Sequence, residues 1–337
     1  MMWVRWPIGS DFLSRMDKIR HLGYLLISQP HESLACRLKP PFYVMTPAPF
    51  VKDGRGALEK DDIMKRSYGC GLWWILLAVM LLVSACSTVP VTGRSGLNLV
   101  SNSQLASMGV EQYQQTLKES KLSKDQAKSA MVREVGIRIA NAAEDFLRSS
   151  GRNDLAGSFD WEFNLIEDDK TVNAWVLPGG KAAVYTGILK YTQTETGLAV
   201  VLGHEVAHAI ANHGNERMSQ ALLTQLGGAA LAVALSQQPA QTQALFMGAY
   251  GLGTSVGVLL PYSRLHESEA DRIGLVLMAM AGYDPREAVP FWQRMNQEGG
   301  ERPPELLSTH PAPDSRIKDI QKHLPEALEY YQKARKR

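Results

Sequence analysis

Residues 194–214 read TETGLAVVLGHEVAHAIANHG, and this stretch decides how the rest of the chain is interpreted. A helix is predicted to begin at Thr192, because Glu195 three residues later is typical of a capping box. Its end is predicted near His213 and Gly214, since glycine suits the position that follows a helix. The stretch is therefore expected to form one capped helix.

The pattern HExxH lies inside this helix as His204-Glu205-Val206-Ala207-His208. Side chains four residues apart share one face of a helix, so His204 and His208 can bind the same metal ion. Glu205 lies one residue further round, where it can take a proton from a metal-bound water. Two buried core histidines are the alternative, but apolar residues of the same helix already supply a packing surface. The pattern therefore predicts a zinc site.

A catalytic zinc needs a third protein ligand and one open position. Residues 263–271, SRLHESEAD, open the next predicted helix, and spacing alone allows His266, Glu267 or Glu269 as that ligand. Glu267 and Asp271 are four residues apart, so one can bind zinc while the other accepts an N–H from a ligand imidazole. The alternative is an ordinary helix start, where acidic side chains suit the helix dipole.

The remaining pattern predicts an α+β fold that is mostly helical, with a small sheet of about three strands beside the HExxH helix. Strands are predicted at 159–165, 171–177 and 182–186, and a helical pattern spans 103–147. No charged residue occurs in 218–263. Because several glutamines interrupt this segment, two packed small-residue helices are favoured over a transmembrane hairpin.

The two motifs HEVAHAIANH and SRLHESEADRIG together resemble the zinc metallopeptidase family of HtpX, the CAAX prenyl proteases and the mitochondrial Oma proteases. Within it, the chain resembles the periplasmic lipoprotein branch of LoiP and BepA. The resemblance covers about residues 95 to 325 and implies a zincin-type metallopeptidase domain with one Zn²⁺ per chain. The family pattern ExxAD implies Glu267 as third ligand and Asp271 as a catalytic-site residue behind the ligands.

Residues 173–180, NAWVLPGG, are similar to a strand of the same family. The resemblance implies an edge strand beside the zinc, where Asn173 and Ala174 pair with extended substrate. A plain hairpin explains the Pro-Gly-Gly turn equally well.

Residues 309–311, THP, with Arg316 resemble a further family element. It implies that His310 is a regulatory residue or fourth zinc ligand, and that Arg316 stabilises the oxyanion or the region of Asp271. A loop histidine bonded to backbone is the alternative for His310. We interpret His213 and His266 as structural or surface residues.

Residues 64–86, MKRSYGCGLWWILLAVMLLVSAC, have the architecture of a signal peptide that ends in a lipobox-like cysteine. We expect Met64 to start translation, 1–63 to be an upstream extension without function, and Cys86 to be lipidated. An uncleaved anchor helix behind a real extension is the alternative. A linker at 86–100, a metallopeptidase domain at 101–325 and a helical tail at 326–337 are expected to follow. Ser87 after the cysteine resembles an outer-membrane sorting signal, so an outer-membrane lipoprotein facing the periplasm is expected.

Composition excludes several classes of protein. The 337 residues are 45% apolar and 21% charged, which is typical of a globular protein rather than a disordered chain. A net charge of +2 gives no indication of a nucleic-acid partner, and three cysteines cannot build a disulfide scaffold.

The expected function is zinc-dependent hydrolysis of misfolded or stalled envelope proteins. The expected partners are polypeptide substrates, the membrane through the lipid anchor, and the outer-membrane assembly machinery. A chaperone-like assembly factor with a latent, histidine-capped site is the alternative. A purely structural zinc site is disfavoured, because such sites are usually closed and rich in cysteine.

Overall fold

The structure is a computed structural model that describes residues 86–226, 242, 245–247, 249–250, 263–297, 305–310 and 314–336. All of them belong to the compact unit Ser67–Arg337. The predicted extension 1–63, the predicted signal peptide 64–85 and most of the uncharged segment 218–263 lie outside the described residues. Within the described part of the chain, no helix combines the length and apolarity needed to cross a membrane.

The described elements confirm an α+β fold that is mostly helical. The helices are α1 (Asn102–Glu119), α2 (Gln126–Ser149), α3 (Asn153–Ala156), α4 (Leu189–Thr192), α5 (Glu195–Ile210), α6 (His213–Leu226), α7 (Arg264–Met280), α8 (Ala288–Gln297), α9 (Glu305–Thr309) and α10 (Asp314–Ala334). The strands are β1 (Cys86–Thr88), β2 (Ser95–Leu97), β3 (Glu162–Ile166), β4 (Ala174–Leu177) and β5 (Lys181–Tyr185).

The three-stranded sheet has the order β3-β5-β4. The central strand β5 is parallel to β3 and antiparallel to β4, which leaves β4 at an edge. Helix α2 packs on β3, helix α5 packs beside β4, and α7 lies between α5 and α10. The HExxH helix α5 is therefore held between the sheet and the second motif helix α7.

The boundaries of α5 differ from the predicted ones. Thr194 rather than Thr192 is the N-cap, and its hydroxyl accepts from Gly197 N at 3.1 Å, while Thr192 ends the preceding helix α4. At the other end, Asn212 adopts the left-handed conformation with φ of 57°. Asparagine tolerates this region better than most residues, so the chain turns there and α6 begins at His213. The prediction of a helix end near Gly214 is wrong for this reason.

Helices α5 and α7 touch at a pair of glycines. A Cβ added at Gly203 would lie 3.0 Å from Gly274 O, and one at Gly274 would lie 3.0 Å from His204 N. Only hydrogen atoms at both positions allow the two backbones to approach this closely. The contact brings the HExxH helix and the helix of the second motif face to face.

Three further differences concern the ends of predicted segments. The predicted linker 86–100 contains the antiparallel hairpin β1–β2, and Val89 and Val100 in it are buried. The predicted helical pattern 103–147 is divided into α1 and α2, with Leu122 in the gap bridging to Ile166. The predicted boundary between 325 and 326 falls inside α10, where Ala327 is fully buried. The domain boundaries as a set stay predictions.

Candidate metal centre

Four buried side chains converge beside the sheet. His204 and His208 come from α5, Glu267 comes from the first turn of α7, and His310 follows α9. Their ligand atoms all lie within 4.8 Å of one another, and all four residues are buried. This is the single group among the described residues with the composition and spacing of a metal site.

The spacing of these atoms fits one small ion. His204 Nε2 lies 3.0 Å from His208 Nε2 and 3.2 Å from His310 Nδ1. Glu267 Oε1 lies 2.9 Å from His310 Nδ1 and 3.4 Å from His208 Nε2. Four nitrogen and oxygen ligands of a tetrahedral zinc, each about 2.0–2.2 Å from the ion, would be roughly 3.3–3.6 Å apart. The donor set of imidazoles and one carboxylate also suits zinc.

The other face of His204 is supported by an acidic residue and an arginine. His204 Nδ1 lies 3.0 Å from Asp271 Oδ1, so the N–H of the ring donates to this carboxylate. Arg316 donates to both oxygens of Asp271, from Nε at 2.7 Å and from Nη2 at 2.8 Å. Its Nη1 lies 2.9 Å from Glu267 Oε2, and its guanidinium stacks 3.6 Å above the ring of Trp292. Asp271 and Arg316 therefore lie behind the ligands, where they fix His204 and Glu267.

Glu205 points into the same site. Its carboxylate is buried, and Oε1 lies 3.5 Å from His310 Nε2. Among the described residues no hydrogen bond is made to Oε1. Burial raises the pKa of Glu205, although His310 and His204 lower it. A buried carboxylate with a free oxygen and a raised pKa is suited to take and return a proton.

The pKa values of the two motif histidines shift in opposite directions. Burial lowers the pKa of His208 well below its ordinary value, so this imidazole is neutral and ready to bind a metal. Burial and Arg316 also lower the pKa of His204, but hydrogen bonds to Asp271 and Glu267 outweigh them and raise it to about 9. Metal binding at His204 therefore releases a proton.

The two carboxylates of the second motif are held ionised. Burial raises the pKa of Glu267, but His310 and Arg316 more than offset this and keep it well below its ordinary value. Burial raises the pKa of Asp271 as well, while Arg316 and the hydrogen bond to His204 lower it overall. Both groups therefore carry negative charge toward the place where a cation would bind.

A cleft of about 290 Å³ runs from this site along the edge strand β4. Its lining includes Asn173, Ala174, Val176, Glu205 and His310. Because Tyr185 N donates to Asn173 O at 3.1 Å, the alternation of an antiparallel pair turns the backbone groups of Ala174 and Val176 to the free edge. The predicted edge strand is thus beside the site, and its free edge faces Glu205.

The segment that carries His310 also reaches this edge strand. Leu306 N donates to Val172 O at 3.1 Å, just before β4, and His310 N donates back to Leu306 O at 2.8 Å. Helix α9 therefore lies across one end of the cleft while His310 occupies the ligand cluster.

The structure thus brings together most of the side chains singled out in the sequence. His204, His208, Glu205, Glu267, Asp271, His310 and Arg316 share one buried site, and Asn173 and Ala174 line the adjoining cleft. Cys86, the predicted lipidation residue, is the first residue of β1. Glu269, an alternative ligand from spacing alone, points instead to His213.

A second buried cluster joins His213, His266 and Glu269 of the two motifs to Arg94 and Glu216, which the sequence did not indicate as functional. His213 and His266 stack with ring centroids 4.6 Å apart, and both are buried rather than on the surface. Arg94 of the hairpin loop donates to Glu216 and Glu269, and His266 Nε2 lies 3.2 Å from Glu216 Oε2. The sequence did contain one signal for this cluster. His213, Glu216, His266 and Glu269 lie in or near the two motifs, and none of them had an assigned partner.

The two carboxylates of this cluster are held ionised by their partners. Burial raises the pKa of Glu216, but His266 and Arg94 outweigh it and lower the value to about 2. Burial likewise raises the pKa of Glu269, while His213, Arg94 and Thr92 bring it to about 2. Burial lowers the pKa of His213 to about 4, so its imidazole is neutral.

Curated relatives carry metalloendopeptidase names. The chain is 39% identical to mitochondrial metalloendopeptidase OMA1 of Schizosaccharomyces pombe, over 56% of this chain and 53% of the relative. It is 32% identical to the protein of the same name from Saccharomyces cerevisiae, over 73% of this chain and 71% of the relative. The β-barrel assembly-enhancing protease of Escherichia coli is 27% identical, over 70% of this chain and 47% of the relative.

These relatives confirm the Oma-type similarity that the motifs indicate, while the lipoprotein branch stays a prediction. The chain spans about half the length of several of them. Their names support the predicted class of enzyme, a metalloendopeptidase.

Residues 134–324, more than half of the chain, match the family described as Peptidase family M48. This range includes the four clustered ligands together with Glu205, Asp271 and Arg316. The chain belongs to peptidase family M48.

Proposed function

We propose that this chain is a zinc-dependent endopeptidase that hydrolyses extended segments of unfolded polypeptides. The observation that carries the proposal is the buried convergence of His204, His208 and Glu267, with Glu205 beside them, whose Oε1 accepts no hydrogen bond from the described residues. When bound, zinc would supply Lewis-acid activation of a water molecule and of the scissile carbonyl.

The residues of the chain have distinct tasks in this reaction. Glu205 takes the proton of the attacking water and returns it to the leaving amine, so that the peptide bond breaks with no net change at the carboxylate. Asp271 orients His204, and Arg316 balances the negative charge of Asp271 and Glu267.

The edge strand supplies substrate binding. The backbone groups of Ala174 and Val176 that face the cleft can pair with an extended substrate chain. Main-chain pairing requires an extended segment but no particular side chains. Unfolded or misfolded proteins are therefore the favoured substrates.

Cleavage of casein tests the proposal. The wild type should bind one zinc and cleave casein, and a chelator should abolish this activity. Glu205→Gln should retain the zinc and lose cleavage by a factor of about 10²–10⁴. Glu326→Gln makes the same chemical change at a partly exposed ion pair and should leave cleavage unchanged. Equal rates for the wild type and Glu205→Gln would contradict the mechanism.

A bacterial envelope role is also proposed, with Cys86 as a lipid anchor in the outer membrane. Its support is the signal-like segment 64–86 and the similarity to a bacterial assembly-enhancing protease. Under this proposal, the substrates are stalled envelope proteins. Cys86→Ala should move the protein from the membrane fraction to the soluble periplasmic fraction, and an unchanged distribution would contradict the anchor.

One observation favours a second candidate function. His310 Nδ1 lies 2.9 Å from Glu267 Oε1 and 3.2 Å from His204 Nε2, so it fills the position that a catalytic zinc must keep open. In this candidate the protease is latent, and the chain acts chiefly as a chaperone-like assembly factor until the segment with His310 moves.

A further inference from the structure

The metal ligand His208 has a supporting residue at the last position of the first motif, outside its HExxH core. The turn at Asn212 reverses the chain, so that the first residue of α6, His213, returns against the last turn of α5. His213 Nδ1 lies 2.9 Å from His208 Nδ1, and the two rings cross at 75°. His213 is fully buried.

The two nitrogens of His208 have separate neighbours. Its Nε2 faces the ligand cluster, 3.0 Å from His204 Nε2 and 3.4 Å from Glu267 Oε1. A histidine that binds through Nε2 carries its proton on Nδ1, and this N–H needs an acceptor. The acceptor at hydrogen-bonding distance is Nδ1 of His213.

This arrangement determines the tautomer of His213. If its Nδ1 accepts, its own proton is on Nε2, which lies 3.3 Å from Glu269 Oε2. The hydrogen bonds then run in one direction, from His208 to His213 and from His213 to Glu269. Every donor in this series meets an acceptor.

The hairpin loop before β2 holds the far end of the series. Arg94 Nε donates to Glu269 Oε2 at 2.8 Å, and Thr92 Oγ1 donates to Glu269 Oε1 at 2.5 Å. Arg94 also donates to both oxygens of Glu216, at 3.0 and 2.8 Å. Glu269, which accepts the hydrogen bond from His213, is therefore itself held by two further donors.

We propose that His213 is a positioning residue of the metal centre, which fixes the tautomer and ring orientation of His208 and is itself held by Glu269 and Arg94. This inference rests on the proposed function, because it requires that His208 bind a metal. Under this proposal, the β1–β2 hairpin, which carries Arg94, becomes part of the support of the metal centre. The two motif histidines then have different partners, since a carboxylate supports His204 whereas a neutral imidazole supports His208.

Zinc affinity of the whole chain tests the proposal. Competition with a chromophoric chelator measures the dissociation constant, and cobalt in place of zinc gives a visible spectrum that reports ligand geometry. His213→Phe keeps the ring that stacks on His266 but removes the acceptor. It should weaken zinc binding by about 10–100-fold and change the cobalt spectrum.

Two further variants separate positioning from structural roles. His213→Asn places an amide oxygen close to the former Nδ1 position and should recover part of the lost affinity. His266→Phe makes the matched change on the stacked ring, which pairs with Glu216, and should stay within threefold of the wild type with an unchanged cobalt spectrum. If His213→Phe does not fold, His213→Asn and Glu269→Gln decide, and both should change the cobalt spectrum.

The outcomes are distinct. Affinity within threefold of the wild type for His213→Phe would overturn the proposal, as would an equal loss in His266→Phe. If His213→Phe does not fold, unchanged cobalt spectra for His213→Asn and Glu269→Gln would overturn it too. A wild type that binds neither zinc nor cobalt would instead overturn the proposed function itself.

Discussion

Arg316 and Asp271 form a bidentate ion pair in which both side chains are buried. Nε and Nη2 of the arginine donate to the two carboxylate oxygens at 2.7 and 2.8 Å, and each side chain is 4% exposed. Arg272 and Glu326 form a pair of the same geometry, at 2.8 and 3.0 Å, but about a third of each side chain is exposed. The chain thus contains a matched comparison between a buried and a surface pair.

Arg316→Gln should therefore be far more damaging than Arg272→Gln. Removing Arg316 takes a buried counter-charge away from Asp271 and Glu267, which should cost about 3–5 kcal/mol in the free energy of unfolding. The surface variant should cost less than about 1 kcal/mol. Urea unfolding of the metal-free proteins measures both, and equal costs would show that burial of the pair is unimportant.

His310→Ala tests whether the site is capped. Removing the imidazole should open the fourth position of the metal, so casein cleavage should rise severalfold while one zinc stays bound. His323→Ala is a control, because His323 lies on α10 and is only partly buried. A fall in cleavage for His310→Ala would mean that this residue serves the reaction instead of restraining it.

Gly203→Ala should weaken the metal site even though alanine favours helices. The added methyl would lie 3.0 Å from Gly274 O, so α5 and α7 must separate slightly and carry His204 away from Glu267. The helix-propensity gain of about 1 kcal/mol cannot restore this spacing. We expect lower zinc affinity and lower activity, measured by chelator competition and casein cleavage.

Gly136→Ala provides the control for this change. A methyl at Gly136 would lie 2.4 Å from the ring of Phe163, so α2 and β3 must also separate. That contact contains none of the clustered ligands, so Gly136→Ala should lower stability but leave zinc affinity within about threefold. An equal loss of zinc affinity in both variants would indicate a general effect of destabilisation.

The lowered pKa of Glu216 predicts a specific dependence of stability on pH. Its pKa is about 2 in the folded chain against an ordinary 4.5, so the folded state favours the ionised form. The resulting stabilisation is fully present above pH 4.5 and is lost as the pH falls toward 2. Glu216→Gln should be less stable than the wild type at pH 7, and the difference should shrink below pH 4.5. Unfolding of both metal-free proteins across this range measures the difference, and a constant gap would contradict the role of the ionised carboxylate.

The clustering of His204, His208 and Glu267 could be predicted from the sequence because the pattern that places them is local. His204, Glu205 and His208 lie on one turn of helix, and the second motif needed only four-residue spacing to suggest Glu267 and Asp271. The resemblance then distinguished Glu267 from His266 and Glu269. His310 and Arg316 could be predicted only from the resemblance, because they lie more than 100 residues from His204.

The support from the hairpin could not be predicted in the same way. Arg94 and Glu269 are 175 residues apart, and nothing in the Ser-, Thr- and Gly-rich segment 86–100 indicates a buried partner. The left-handed turn at Asn212 was not predicted either, since glycine rather than asparagine was taken as the signal for the helix end. Periodicity reports which side of an element is buried, but it does not report what lies against that side.

The distribution of the site along the chain has a consequence for its synthesis. His204 precedes His310 by 106 residues, and Arg94 precedes Glu269 by 175. A chain that is still being made therefore exposes its HExxH helix long before the residues that complete the ligand cluster. The linear order of the sequence therefore delays assembly of the ligand cluster until the segment with His310 and Arg316 has been synthesised.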